Sequence, residues 1–285
     1  MKSTLFILSA FIVLTAFAQD KNPYELYNKE GKKVKYSKMM KTLNEADVVF
    51  FGEQHNNPIC HWLQLQVTKD LYEEKKENLI IGAEMFERDN QLLIDEYLSG
   101  YISKKNFEKE VRLWPNYKTD YEPLLEFARE KDLTFVATNI PRRYASLVHR
   151  DGFEGLEKLS EEAAAYFAPM PVEYDPNLKG YQEMLKMGGD HGGENLPKAQ
   201  AIKDATMAWS IAEHVGTGKL FIHYNGTYHS NNFEGIVWYL NKYRPGLNIV
   251  TIASEEQEDV DKLDESFEGI ADFILVTPSD MTRTY

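Results

Sequence analysis

The sequence predicts an α/β fold: a mainly parallel open sheet flanked by helices, with a smaller helical subdomain inserted. Three observations carry this. Short apolar runs recur along the chain, they are nearly continuous rather than alternating, and helical stretches separate them. A strand covered on both faces has that continuous pattern, because neither face meets water. In order, the runs are "ADVVFF" before Gly52, "NLIIGA" before Glu84, "LTFVAT" before Asn139 and "KLFIHY" before Asn225. "LNIVTIA" follows, ending at Ala253, and "DFILV" closes at Val276. Helical stretches such as "ICHWLQLQVTKDLYEEK" and "AQAIKDATMAWSIAEHV" supply the crossovers that parallel strands need.

Spacing sets the domain organisation. The interval between the strand ending near Thr138 and the one starting near Lys219 is far longer than one crossover helix requires. The expectation is one domain over residues 19–285, with helical insertions at about 88–131 and 141–195. The start reads differently. Lys2, an apolar run from Thr4, and the small-x-small ending Ala16, Phe17, Ala18 fit a secretory signal peptide over residues 1–18. A soluble, exported, periplasmic protein is therefore expected. Cys60 stands alone, so no internal disulfide is available and the core must hold the fold. The 45 acidic against 32 basic residues, a net charge of -13, argue against nucleic acid as a partner. The acid-rich stretch 254–269 reads as a solvated loop and surface helix.

The chemistry gathers where the strands end. Glu53 and His55 follow the first run, Glu84 and Arg88 the second, Asn139 and Arg142 the third, and His223, Asn225 and His229 lie at the fourth. Carboxyl ends of parallel strands share one edge, where ligands bind, so these residues are expected to converge. Imidazoles ligate metals or move protons near neutral pH, carboxylates orient them or act as bases, and arginine holds anions bidentately. Glu53, His55, Glu84 and His229 are the catalytic candidates. Gly52, His55, Arg88, Asn139, His223, Gly226 and His229 are the cofactor-binding candidates. Gly52 and Gly226 stand three residues before a histidine, in "GEQH" and "GTYH", and are expected to take positive φ so that the turn aims those side chains over the edge.

Plainer roles compete with each assignment. His55 could bond to backbone at a helix start, and Glu84 could be a buried carboxylate paired with Arg88. His61, His149 and His214 read as surface or core histidines. The sequence has no H-E-x-x-H, no G-x-S-x-G, no phosphate loop and no dinucleotide fingerprint. One hypothesis from the residues is a metal-assisted hydrolase, in which His55 and His229, with Glu84 as a further candidate ligand, hold a divalent cation that activates water and Glu53 accepts its proton.

"ADVVFFGEQHNNPICH", "GAEMFERDNQ", "ATNIPRRYA", "AQAIKDATMA" and "HYNGTYHSNNFEGI", in this order, resemble the ChaN-type haem-binding family of the Tiki/TraB and erythromycin-esterase-like superfamily. The resemblance covers roughly residues 26–278. It implies haem or iron acquisition outside the cytoplasm, with haem held noncovalently, stacked as a pair across a homodimer, and an outer-membrane haem receptor as a further partner. Gly52, Glu53, His55, Glu84, Gly226 and His229 match family motif positions, as do Gln200 and Asp204 on the long helix. The family's lipid-bearing cysteine is absent here. Tyr97, Tyr101, Tyr117, Met184 and His191 in the insertions are available as iron ligands.

Overall fold

The computed structural model describes residues 21–285, the side chains of residues 187–192 excepted. The expected signal peptide at 1–18 and the His191 side chain lie outside what is described. The chain opens with β1 (Glu25–Asn28), α1 (Tyr36–Asn44), β2 (Val48–Glu53), α2 (Pro58–Lys75) and β3 (Leu79–Glu87). Helices α3 (Gln91–Leu98), α4 (Lys104–Glu110) and α5 (Glu122–Glu130) precede β4 (Thr134–Asn139). A second helical stretch holds α6 (Arg142–Asp151), α7 (Glu161–Ala164), α8 (Lys179–Gly192) and α9 (Leu196–His214). The chain closes with β5 (Leu220–Gly226), α10 (Ile236–Tyr243), β6 (Ile249–Gln257) and β7 (Phe273–Pro278).

All seven strands form one sheet in the order β1-β7-β6-β2-β5-β3-β4, parallel except for β1, which pairs antiparallel with β7. The six apolar runs are six of these strands. β1 is an edge strand of four residues, too short to announce itself by periodicity. The run ending at Ala253 continues to Gln257, so the first residues of the acid-rich stretch are strand rather than loop.

Continuous apolar runs arise because alternate side chains enter two different cores. Val49, Phe51, Ile81, Ile222 and Tyr224 join one core with residues of α1 to α5. Val48, Phe50, Ile80, Val136 and Phe221 join the other with residues of α9 and α10. A further cluster, with Ile140, Ala145 and Val148 from the α6 side and Ala199 and Ile202 from α9, packs those two helices together.

The strand order positions the site. From β2 the chain moves through β3 and β4 to one side of the sheet, then returns at β5 and moves through β6 and β7 to the other. Such a reversal opens a crevice beyond the carboxyl ends of the central strands. Glu53 ends β2 and Gly226 ends β5. Between Ala83 and Glu87 the pairing of β3 with β4 slips, spending four positions of β3 against two of β4. That bulge falls at Glu84, and a bulge is a standard means of re-aiming a side chain.

Candidate functional site

Two hydrogen-bonded chains meet in one cavity of about 700 Å³ at these strand ends. The first centres on Glu53, whose side chain is wholly buried. Its Oε1 accepts from the Tyr121 hydroxyl at 2.7 Å and lies 2.9 Å from His55 Nδ1, and its Oε2 accepts from Gln64 Nε2 at 2.7 Å. Burial opposes the charge of Glu53, but His61, His55 and these donors outweigh it and hold the carboxyl below its ordinary range. An ionised Glu53 fixes Nδ1–H on His55, leaving Nε2 as the other ring nitrogen, beside Gly226. Burial likewise opposes charge on His55, and the bond to Glu53 with the nearby Glu84 carboxylate raises it above the usual histidine value. The Trp114 ring packs edge-on against His55, with centroids 4.9 Å apart.

The second chain runs Tyr181–Asp204–His229–Glu84. The Tyr181 hydroxyl donates to Asp204 Oδ2 at 2.8 Å, and Asp204 Oδ1 takes His229 Nδ1. Glu84 Oε1 lies 3.1 Å from His229 Nε2, and its Oε2 accepts from Gly226 N at 2.7 Å. With a carboxylate on each ring nitrogen, His229 is held as imidazolium. Burial works against that charge, yet Glu84 and Asp204 push it up to about 10. Glu84 is correspondingly held far below the ordinary carboxylate range, although burial opposes this. For Asp204 burial prevails and the carboxyl is raised. Gln200 Nε2 sits 2.9 Å from His229 Nδ1.

The two glycines serve close approach rather than positive φ. Neither is among the positive-φ residues, and Gly226 has φ -55°. A Cβ on Gly226 would sit 2.9 Å from Nε2 and Cε1 of His55, so a bare backbone is what lets the His55 ring lie against the β5 end. A Cβ on Gly52 would meet Thr227 Cα at 2.9 Å. The expectation of tight left-handed turns is replaced by this packing reason.

The cavity is lined by His55, Glu84, Asn139, Gly226 and His229 among the candidates. Glu53 stands behind His55, and Gly52 behind Thr227. Arg88 is placed elsewhere: its guanidinium lies over the Trp209 ring at 4.2 Å, donates to Ser210 Oγ at 2.6 Å and pairs with Glu213. It does not pair with Glu84. His223 is fully buried beneath the site, between Thr138 Oγ1 at 2.7 Å and Asn225 Oδ1 at 3.0 Å. Burial drives its pKa down to about 4, so it is a neutral core histidine.

The divalent-metal arrangement expected of His55 and His229 is not what this geometry builds. Both ring nitrogens of His229 face carboxylates, and Glu84 spends its second oxygen on Gly226 N. Among the described residues no group of three His, Cys, Asp or Glu is placed to hold a metal ion.

Of the available iron donors, Tyr97 and Tyr117 are buried in the core under α3 to α5, and Tyr101 is 83% exposed away from the cavity. Met184 lines the cavity. Tyr228, 67% exposed beside His229, lines it too and was not singled out by sequence. Also missed were Gln64, Tyr121, Trp114 and His61. His61 lies 3.7 Å from Glu53 Oε2 and 3.1 Å from the His55 carbonyl. The signal was weak: His61 and Gln64 stand one helical turn apart on the helix that directly follows the Glu53 strand.

An α/β sheet with buried acid–imidazole chains facing a cavity at its topological switch defines a small-molecule-binding class with groups suited to acid–base chemistry. The family model described as "Haem-binding uptake, Tiki superfamily, ChaN" matches residues 39–240, and the chain belongs to that family. A structure of ChaN from Campylobacter jejuni with cofacial haem is similar in fold, with TM-score 0.69 at 16% identity over 92% of this chain and 99% of that one. An erythromycin esterase in its open conformation matches more loosely, with TM-score 0.48 and 11% identity over 91% of this chain and 84% of that one. In sequence, the chain is 23% identical over 201 residues to the chloroplastic Protein RETICULATA-RELATED 5 of Arabidopsis thaliana. That match takes in 64% of this chain and only 27% of the plant protein. Among the described residues no helix is long and apolar enough to cross a membrane.

Proposed function

We propose that this chain is an exported haem-uptake protein that holds haem noncovalently in the cavity at the carboxyl ends of β2, β3 and β5. Family membership supports the ligand class, and the cavity is the observation that carries the site. Its volume of about 700 Å³ lies in the range of small-molecule sites. Its lining mixes apolar groups, Trp114, Ile140, Leu196 and Met184, with polar ones.

The donor set fits. Haem iron accepts oxygen, nitrogen or thioether ligands. Tyr228 is exposed at the rim, Met184 lies on the α8 wall, and His55 lines the cavity beside Gly226. Tyr228 is the ligand favoured here, because its side chain is largely exposed while His55 is engaged by Glu53. Periplasmic location, a homodimer stacking two haems across its mouth, and transfer from an outer-membrane haem receptor belong to the same proposal. Optical titration with hemin tests it. The expected result is a saturable Soret band distinct from free hemin, shifted in Tyr228→Phe. A spectrum equal to hemin plus inert protein refutes the reading.

One observation favours a second reading, a hydrolase that needs no metal. Glu53 engages Nδ1 of His55, a cavity-lining residue, and leaves Nε2 unbonded, an arrangement suited to proton transfer with substrate or water. Hydrolysis of activated esters should then fall about 100-fold in His55→Ala. Equal rates in wild type and variant sink it.

A further inference from the structure

Residues 114–121 of the first helical insertion reach the Glu53–His55 pair from three sides. The Trp114 ring packs edge-on against the His55 ring. Asn116 Nδ2 donates to the His55 carbonyl at 2.7 Å and to Asp120 Oδ2 at 2.6 Å. The Tyr121 hydroxyl donates to Glu53 Oε1 at 2.7 Å, and its ring packs edge-on against His61 and Trp114. Local sequence explains this reach. Pro123 lies in the first turn of α5 and has no N–H to give to the carbonyl four residues back, so α-helical bonding cannot run unbroken from Tyr117. The chain instead makes a π-turn over Tyr117–Tyr121, closed by a bond from Glu122 N to Tyr117 O, and buries Tyr117, Asp120 and Tyr121 within it. Such turns recur at functional sites.

The bond from Tyr121 is placed on a shared atom. His55 Nδ1 lies 2.9 Å from the same Oε1 that takes the Tyr121 hydroxyl. A carboxylate oxygen has two acceptor positions, and here one serves the imidazole and the other the phenol. Oε2 takes Gln64 Nε2 at 2.7 Å and faces His61 Nδ1 at 3.7 Å. Each donor draws on the carboxylate's charge, so Glu53 pulls less on the His55 proton than a lone buried carboxylate would. Burial and Glu53 keep the phenol protonated, so it remains a donor. The other charged groups acting on His55 are Glu84 from β3 and His229 from the turn after β5. Cys60 and Tyr224, which also feel Glu53, are held protonated by burial.

We propose, on the hydrolase reading, that Tyr121 is a positioning residue of this pair: it fixes Glu53 and shares its charge, keeping the His55 proton exchangeable near neutral pH. Tyr121 does not line the cavity and acts through Glu53 alone. A general base works best when its proton affinity matches the working pH. With the whole charge of Glu53 directed at Nδ1–H, His55 would hold its proton above that range.

NMR titration of His55 in the full chain tests this, with the buried, neutral His223 as the internal check on folding. Tyr121→Phe keeps the ring and removes the hydroxyl, and should move the His55 titration up by about half a unit to one unit. Tyr121→3-fluorotyrosine, a stronger donor of nearly the same shape, should move it down by about a few tenths. A packing role gives no such opposite shifts. A titration that fails to rise in the first variant, or to fall in the second, overturns the proposal. Where Tyr121→Phe disturbs the His223 signals, the fluorinated protein decides alone. Hydrolysis of p-nitrophenyl acetate separates this role from the reading beneath it: its pH midpoint should rise with His55 in Tyr121→Phe, and an unmoved midpoint overturns the proposal. No hydrolysis by wild type removes the hydrolase reading, and the hold of Tyr121 on the His55 proton then stands or falls by the two titrations.

Discussion

Gly226 shows how much of the site depends on one missing methyl group. Its backbone closes against the His55 ring while its amide holds Glu84, so one residue sets the distance between the two polar chains. In Gly226→Ala the new Cβ must displace His55, at a cost of about 1–3 kcal/mol by overpacking. The His55 imidazole resonances should shift in NMR while those of buried His223 stay in place; unshifted His55 signals would contradict the contact.

His229 makes a prediction with a definite sign. Its folded pKa, about 10, exceeds the unfolded value of about 6.5. The stability it contributes is therefore fully present below the unfolded pKa and is lost as pH rises through the folded one. The urea midpoint should fall between pH 7 and 10, and His229→Gln should flatten that decline. A midpoint that rises across this window would contradict the imidazolium assignment.

At the scale of elements, α2 is the support of the Glu53 chain. Asn57 caps it, accepting from Ile59 N and Cys60 N, and donates to Thr277 Oγ1 at 2.7 Å, which ties the helix start to β7. From α2, Gln64 bonds Glu53 and His61 meets the His55 carbonyl. Loss of such a cap costs about 0.5–2 kcal/mol, so Asn57→Ala should lower stability by at least that amount in chemical denaturation. A change below a few tenths would show that the cap does not position the helix.

Legibility from sequence divides along the same elements. β2 to β7 were readable because two-faced burial writes itself as unbroken apolar runs. β1 was not, since four residues on an edge carry no period. The strand-end acids and imidazoles were readable because residue type and topology together name the edge. Their supports were not: Tyr121, Gln64 and Tyr181 come from helices whose approach is set by packing. Arg88 and Arg142 both follow strands, yet one turns to Trp209 on α9 and the other to the cavity. Backbone direction after the strand decides that, and a sequence pattern does not contain it.

At the scale of the whole molecule, the strand reversal at β2 and β5 creates one edge on which both polar chains end, and the helices before and after β4 wall it. The acid–imidazole pairs are structurally self-sufficient, each charge answered by another within the protein. What is left open is the cavity between them, with Tyr228 at its rim and Arg142 and Lys203 on its α6 and α9 walls. A crystal structure of the full chain grown with hemin tests this most directly. The expected result is a porphyrin seated against the α6 and α9 faces above Gly226, with iron toward Tyr228. A porphyrin bound on any other surface, with that cavity filled only by solvent, would contradict it.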